Sequence, residues 1–461
     1  MANIFSIAQS ALVAAQAGIN TTGQNIANAA TPGYSRQSVQ QVAIMPDSIM
    51  GYANNGSGVQ VASVQRAYNS FLVDNKVSAQ ATSSQLQTQF DQIQQINNML
   101  SDPDAGLSPA MQEFFNGLHN LSSAPSDEPA REALLTTADA LTSRFNDLQY
   151  RLKSFGKGIN DQITTSVDDI NNIAEQISVL NSVIGQAQTA ANGKPVNDLL
   201  DARDKLVDDL SKQVKANVVR QDDRYDVYIA NGQPLVVNGA IYKLYSVQSA
   251  SDASQLDVAY GSNDAQATIT PNNLGGGALR GLLDFRSGDL AKAENALTDI
   301  MKAFAQSMND QNAQGFTADG NPGGDFFAIS ADGSSISLNL TNNSQIAAAS
   351  SNNPVRSGDN GNILKMIDLQ TKPVMNGGTI SFQTAYAKMV NQIGSKTREL
   401  ELSSTSADNI TKQADAAIQN VSGVNLDEEA ANLLKYQQAY QAAGKVIQTS
   451  QKLFDSLLAV N

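Results

Sequence analysis

The N-terminal stretch IFSIAQSALVAAQAGINTTGQNI, residues 4–26, repeats apolar or small side chains at alternating steps of three and four residues. This spacing places them along one narrow stripe of an α-helix, which is typical of a coiled-coil seam. The seam consists of Phe5, Ala8, Leu12, Ala15, Ile19, Thr22 and Ile26. The helix is expected to end near Asn28, and Thr31-Pro32-Gly33 has the composition of a turn.

The C-terminal segment carries a second seam with the same period. It consists of Leu426, Leu433, Tyr436, Tyr440, Ala443, Ile447, Ser450, Phe454 and Leu457. Asn425 is placed to cap the start of this helix, with Glu428 completing a capping box. Because a seam needs a partner, we predict that the two ends of the chain pair in one terminal coiled-coil domain, built from residues 1–30 and 425–461.

Long helices are predicted for most of the chain between these ends. Apolar side chains recur at helical spacing from Leu134 to Ile184, which is too long for the helix of an ordinary globular core if it is unbroken. Gly156 and Gly158 lie midway and leave open whether this helix is continuous. The pattern predicts a long-helix bundle domain built from residues 31–214 and 276–424.

A small β domain interrupts the helices at about residues 215–275. Residues 225–229 alternate in the manner of a half-buried strand, and Asn231-Gly232 and Asn238-Gly239 are hairpin turn signals. Gly275-Gly276-Gly277 closes the region. The predicted fold class is therefore mainly α with an inserted β domain, in an elongated multidomain subunit.

The composition argues against several classes of function. The 461-residue chain has no cysteine, one histidine and a net charge of −14. The usual zinc sites and thiolate nucleophiles are therefore excluded, and the scattered basic residues argue against nucleic-acid binding. No apolar run reaches the ~20 residues of a membrane span. The first charged side chain is Arg36, which does not fit a cleaved secretory signal.

Isolated polar motifs are interpreted as structural. His119 has no second histidine or cysteine near it in sequence, and Asp208-Asp209 and Asp222-Asp223 are interpreted as solvated acids rather than metal ligands. The glycines at 275–277 lack the Lys-Ser/Thr of a phosphate-binding loop and are interpreted as a linker. We therefore predict no catalytic residue, no cofactor and no metal site.

Residues 23–37, GQNIANAATPGYSRQ, resemble the N-terminal signature of the bacterial flagellar axial proteins, which comprise rod, hook and hook-associated subunits. The matching motif residues are Asn25, Ile26, Ala27, Asn28, Thr31, Pro32, Gly33 and Tyr34. Gln24 stands where the commonest form of the signature has asparagine. Residues 422–440 independently resemble the C-terminal end of hook-associated proteins.

Three further segments narrow the resemblance to hook-associated subunits of the junction type. They are Ser35-Arg36-Gln37, residues 197–204 (NDLLDARD) and residues 325–329 (DFFAI). Larger members of this group carry another β-rich insertion after the last of these segments. Here only a short Gly/Ser/Asn-rich segment follows, so we expect that outer domain to be missing.

The resemblance implies a structural subunit of the bacterial flagellum that joins hook to filament and has no catalytic activity. It implies a secreted, extracellular protein that is exported by the flagellar type III apparatus, with a cytoplasmic export chaperone on its C-terminal segment. The implied partners are hook protein, a second junction protein and copies of the chain in a ring, without nucleic acid or a membrane span.

Assembly through the terminal helices is expected to use their seams. The expected interface residues are Phe5, Ala8, Leu12, Ala15, Ile19, Ile26, Leu433, Tyr436, Tyr440, Ile447, Phe454 and Leu457. Two alternatives remain open. One is another axial component, such as a rod or hook protein. The other is a secreted enzyme, such as a wall hydrolase whose two acids are brought together by the fold.

Overall fold

A computed structural model describes residues 2–44, 58–102, 106–221, 224–229, 232–262, 265–352 and 358–458. Within these ranges the α-helices are α1 (Ala2–Ala27), α2 (Ser70–Leu100), α3 (Leu107–Ser123), α4 (Glu128–Ala190), α5 (Asn197–Gln213), α6 (Ala278–Phe285), α7 (Ala291–Ala313), α8 (Gly361–Asp368), α9 (Phe382–Ser422) and α10 (Leu426–Leu458).

The strands form four antiparallel sheets, with orders β1-β2, β3-β4-β5-β6, β7-β8-β9 and β10-β11 when numbered along the chain. They are β1 (Gln37–Ala43), β2 (Val59–Arg66), β3 (Ala216–Gln221), β4 (Arg224–Ile229), β5 (Pro234–Val237), β6 (Ala240–Ile241), β7 (Leu244–Gln248), β8 (Leu256–Ser262), β9 (Ala265–Ile269), β10 (Phe327–Ile329) and β11 (Ile336–Leu338). Long helices with an inserted β region confirm the predicted fold class. Nowhere in the described ranges does a helix combine the length and apolar character needed to cross a membrane.

Helix α4 is the longest element, and it is continuous through Gly156 and Gly158, where the sequence left continuity undecided. It runs without interruption for 63 residues, which corresponds to about 95 Å. Asp127 caps its N-terminus, because the side chain accepts a hydrogen bond from the amide of Ala130. Its buried stripe includes Ile163, which is fully covered. Helix α4 therefore extends past both glycines and packs against helices as well as the β domain.

The helical body has an aromatic centre that explains one of the sequence motifs. The Phe304 ring on α7 lies 5.5 Å from that of Phe114 on α3, 5.4 Å from Phe327 and 5.5 Å from Phe382 on α9. Phe326 is fully buried beside Phe327, with ring centroids 4.8 Å apart. The motif at 325–329 thus contributes core side chains, worth roughly 3–5 kcal/mol for each buried aromatic ring.

The β domain consists of two sheets, β3 to β6 and β7 to β9, and its strands fall inside the predicted limits of 215–275. Asn238 and Gly239 both have positive φ, 52° and 81°, as the hairpin turn between β5 and β6 requires. Asp222-Asp223 and Asn231, which the sequence singled out, lie outside the described residues. The domain packs onto α4, so it is carried by the longest helix.

Two short hairpins were not predicted from the sequence. Strands β1 and β2 pair with each other and pack against α1, although residues 31–66 were assigned to the helical bundle without strands. Strands β10 and β11 are joined by a turn in which Ser330 accepts and donates several hydrogen bonds.

The two helical glycines Gly281 and Gly158 make a matched test of the packing between α6 and α2. A Cβ at Gly281 would fall 2.6 Å from the carbonyl oxygen of Gln85 and 2.9 Å from Cβ of Thr88, whereas a Cβ at Gly158 meets nothing within 4 Å. We expect Gly281→Ala to destabilise the body by about 1–3 kcal/mol. Gly158→Ala should stabilise it by roughly 0.5–1 kcal/mol, because alanine favours helix.

Thermal unfolding followed by circular dichroism measures both changes. Equal shifts of the thermal midpoint in the two variants would contradict the close α2–α6 approach.

Candidate assembly site at the paired termini

Helices α1 and α10 pack along each other and bring the two ends of the chain together. The contact is close because small residues line it. Ala8, Ala15 and Ala443 are buried, and a Cβ on Gly18 would lie 2.5 Å from the ring of Tyr436. Burying small side chains removes little apolar area from water, so the pairing leaves most of its larger apolar side chains uncovered.

The predicted interface residues divide into three groups. The contact face of the pair holds Ala8 and Ala15, both buried, with Leu12, Ile19, Leu433, Tyr436 and Ile447 half-buried. Phe5, Ile26, Tyr440 and Phe454 are exposed. Leu457 lies in α10, but its side chain is outside the description.

Further exposed apolar residues of α1 and α10 were not predicted as interface residues. They are Ile4, Val13, Leu426, Leu434, Val446 and Leu453, of which Leu426 belongs to the predicted seam. Together with Phe5, Ile26, Tyr440 and Phe454 they define the exposed apolar surface of the terminal pair. Within this surface Phe454 is 55% exposed and Leu434 60%.

A buried asparagine of the sequence motif, Asn25, connects four segments. Its side-chain nitrogen donates to the backbone carbonyl of Gln37 at 2.8 Å and to the carboxylate of buried Glu429 at 3.0 Å. Its oxygen accepts from the Tyr34 hydroxyl at 2.8 Å and from the Gln37 amide at 2.9 Å. Asn25 thus uses both its donors and its acceptor to join α1, the turn, β1 and α10.

The start of α10 is held next to this asparagine. Asn425 caps the helix as predicted, since its side chain accepts from the amide of Asp427 at 3.0 Å. The predicted capping box with Glu428 is wrong, because that carboxylate pairs with Arg36 at 2.7 Å instead. The Arg36 amide also donates to the carbonyl of Ser422 at 2.8 Å. These contacts fasten the turn motif to the junction between α9 and α10.

Residues 197–204, the second motif, lie against the other side of the turn. Asp201 accepts from both the amide and the hydroxyl of Ser35, each at 2.9 Å. Arg66 on β2 bridges Asp201 and Asp204 at 2.7 and 2.5 Å. Gln37 donates to Asp198 at 3.1 Å. Residues 23–37, 197–204 and 422–440, three of the segments that carried the family resemblance, are therefore brought together in one polar network.

The ionisable groups of this network have the protonation states that their hydrogen bonds require. Burial alone lowers the pKa of Arg66, but the carboxylates of Asp204 and Asp201 outweigh burial and hold that pKa above its usual value. Burial, with a smaller effect of nearby carboxylates, raises the pKa of Tyr34 to about 12. At neutral pH Arg66 stays a cation and Tyr34 a neutral donor, as their contacts require.

The remaining motif residues shape the turn rather than join the network. Thr31, Pro32 and Gly33 are exposed, as are Ile26 and Ala27. Gly33 has a positive φ of 83°, and the Thr31 amide donates to the carbonyl of Asn28 at 2.9 Å. Sequence reasoning did not single out Arg66, Asp201 and Glu429 as site residues, because nothing in their local spacing marks them as buried.

The polar motifs interpreted as structural occupy ordinary positions. His119 is exposed on α3. Asp208 pairs with Lys76 at 3.2 Å, and Asp209 pairs with Lys205 and Lys212 at 3.0 and 2.7 Å. Across the described ranges, no group of three or more acidic or histidine side chains is arranged to hold a metal ion.

Replacing Asn25 tests whether the network fixes the terminal pair. Asn25→Ala leaves Glu429, Tyr34 and the Gln37 amide without a buried partner, at roughly 1–3 kcal/mol for each group. We expect faster hydrogen exchange in α1, β1 and α10, measured by mass spectrometry. Asn20→Ala, an exposed position on the same helix, is the control. If the two variants exchange alike, Asn25 is not the connecting residue.

Comparison with known families identifies three regions of the chain. Residues 93–327 match the helical domain of flagellar hook-associated protein FlgK. Residues 5–34 match the flagella basal body rod protein family, and residues 418–460 match the C-terminal family of flagellar basal body rod FlgEFG proteins. The two rod-type matches coincide with the paired ends, and the FlgK match with the body and β domain.

Individual relatives agree along the whole chain. Flagellar hook-associated protein 1 of Salmonella typhimurium is 34% identical over 555 aligned residues, covering 100% of both chains, and that of Escherichia coli K12 is 32% identical over 549. The alignments exceed the 461 residues of this chain, so these relatives carry residues that it lacks.

A solved structure, the flagellar hook junction protein FlgK from Burkholderia pseudomallei, has a similar fold. Its TM-score is 0.69 at 22% identity, and the match covers 76% of this chain and 100% of that one. The relatives are structural flagellar proteins and not enzymes, as predicted. With full-length identity above one third and a match of the helical domain to half of the chain, this protein belongs to the flagellar hook-associated protein 1 family.

Proposed function

We propose that this protein is a structural subunit that joins the hook to the filament of a bacterial flagellum and assembles through its paired terminal helices. The observation that carries the proposal is the exposed apolar surface of the terminal pair. Large apolar side chains on both helices remain uncovered in the single chain, although each could contribute roughly 1.5–3 kcal/mol when buried. Neighbouring subunits would cover them.

Copies of the chain arranged in a ring would supply such neighbours. Repeated head-to-tail contacts close into a ring when the rotation between copies allows it, and each copy then buries one face of its pair against the next. Hook protein on one side and a second junction protein on the other would cover the remaining ends. The match of both termini to rod-type families supports this mode of assembly, since axial subunits would share the packing of their ends.

Export precedes assembly in this proposal. The protein would leave the cell through the flagellar type III apparatus and function outside it, with a cytoplasmic chaperone on the C-terminal segment before export. The exposed Leu453 and Phe454 support a chaperone there, because they would otherwise face water in the cytoplasm.

Immunogold labelling of purified flagella, with antibody against the β domain, tests the location. A single band of label where hook meets filament is expected. Label along the rod or hook would make the protein another axial component. Intact flagella without label, given an antibody that binds the folded protein, would contradict the structural role and favour a secreted enzyme.

Removing one exposed side chain tests the assembly surface. Phe454→Ser should leave the monomer's thermal midpoint unchanged, because the ring is 55% exposed. Its incorporation into flagella should fall by about tenfold or more, the equivalent of roughly 1.5–3 kcal/mol of lost burial. Leu364→Ser, at a 47% exposed position on α8, is the matched control. Equal incorporation of the two variants would argue against assembly through α10.

A further inference from the structure

Asparagines on one face of α4 bind β strands through the strand backbone. The side-chain nitrogen of Asn171 donates to the carbonyl of Leu244, and its oxygen accepts from the amide of the same residue, both at 2.9 Å. Asn181 makes the same pair of bonds with Tyr225, at 2.9 and 3.0 Å. Each asparagine therefore satisfies both backbone groups of one strand residue, as a neighbouring strand would.

Two further contacts lie along the same helix. Asn160 donates to the carbonyl of Ser254 at 2.8 Å and accepts from the amide of Leu256 at 3.1 Å. The Ser178 hydroxyl donates to the carbonyl of Gly239 at 3.0 Å. These contacts extend from Asn160 to Asn181, which is about 30 Å along the helix. Together they hold both sheets of the β domain against α4.

The position of Leu244 shows why such contacts are needed. This residue begins β7, an edge strand of the sheet β7-β8-β9, and its side chain is buried. The outward N–H and C=O of an edge strand have no strand partner, and facing a helix they would be withheld from water. Asn171 fills that place, and without it two backbone groups would be left unpaired.

The connections to the β domain meet at one end. The chain enters after Gln213 and leaves through Gly275 and Gly277, whose positive φ values are 72° and 86°. A Cβ at Gly277 would overlap the carbonyl group of Gln213, so the two connections run side by side in close contact. Glycine adopts these positive φ values without strain, and the Gly277 amide donates to the carbonyl of Ala81 at 2.7 Å, which anchors the connections to α2.

We propose that the β domain opens as a unit while α4 stays helical. The asparagines of α4 act as the latch that holds the domain closed, and the paired connections at Gln213 and Gly277 act as its hinge. Apolar packing against Ile170 and Ile177 favours the closed state. The asparagines affect how often the domain opens, because closing pairs the backbone groups of Leu244 and Tyr225 with their side chains. Opening of this kind is a sub-global event below complete unfolding.

The neighbouring residue supplies a matched control for the test. Asn171→Asp keeps the acceptor for the Leu244 amide but has no donor for its carbonyl, and it adds a charge. Asn172→Asp adds the same charge one position along, at an exposed site. Native-state hydrogen exchange on the full chain, read by mass spectrometry, reports the opening of each segment.

In Asn171→Asp we expect amides of residues 216–269 to exchange on the order of tenfold faster or more, because one lost buried bond shifts opening by about that factor. Amides of α3, α7 and the buried part of α4 should exchange at the parental rate, and Asn172→Asp should match the parent throughout. Equal exchange in the two variants would overturn the latch. Acceleration of α3 and α7 along with the β domain would overturn its independent opening.

A milder variant keeps the proposal testable if Asn171→Asp does not fold. Ser178→Ala removes only the contact to Gly239, which lies at the exposed end of the β5–β6 hairpin. Residues 234–241 should then exchange severalfold faster, with the helices unchanged. No change in that segment would count against the latch.

Discussion

The first and last helices of the chain, α1 and α10, pack against each other, so every other element is inserted between two ends that are held together. The contact is possible only because small residues line it, with Gly18 lying under the ring of Tyr436. Close approach has an energetic consequence. A pair that buries mostly alanine and glycine gains little from the hydrophobic effect, so polar contacts have to determine how the rest of the chain joins it.

Those polar contacts converge on a buried cluster around Asn25, Asp201 and Arg66. Burying charged groups costs desolvation energy that their attraction only partly offsets, so such clusters contribute more to a unique arrangement than to stability. Here the arrangement is the placement of the terminal pair against α5 and the β1–β2 hairpin. The hydrogen bonds of Asn171 and Asn181 serve the β domain in the same way.

Periodicity predicted the long helices, the paired ends and the position of the β domain, because each depends on a repeating pattern of side chains. The alternation near Tyr225 and the Asn238-Gly239 turn are local signals of this kind. The β1–β2 hairpin escaped prediction because β1 does not alternate regularly: Gln40 and Gln41 are consecutive exposed polar residues, and a shift of the strand register lies between them. The role of Glu429 could not be predicted either, because a carboxylate in the first turn of a helix usually faces water, and only the partner 404 residues away explains its burial.

Continuity gives α4 a property that a segmented helix would lack. Its hydrogen-bonded backbone cannot stretch, so the number of residues between two of its contacts is a fixed measure of distance, about 1.5 Å for each residue. Removing seven residues would draw its ends together by about 10 Å and leave their facing directions nearly unchanged. Removing one would turn everything beyond it by about 100°. A change in the length of this helix therefore keeps the facing directions of its ends only when it is close to a whole number of turns, so α4 fixes both the spacing and the relative orientation of the elements that pack on it.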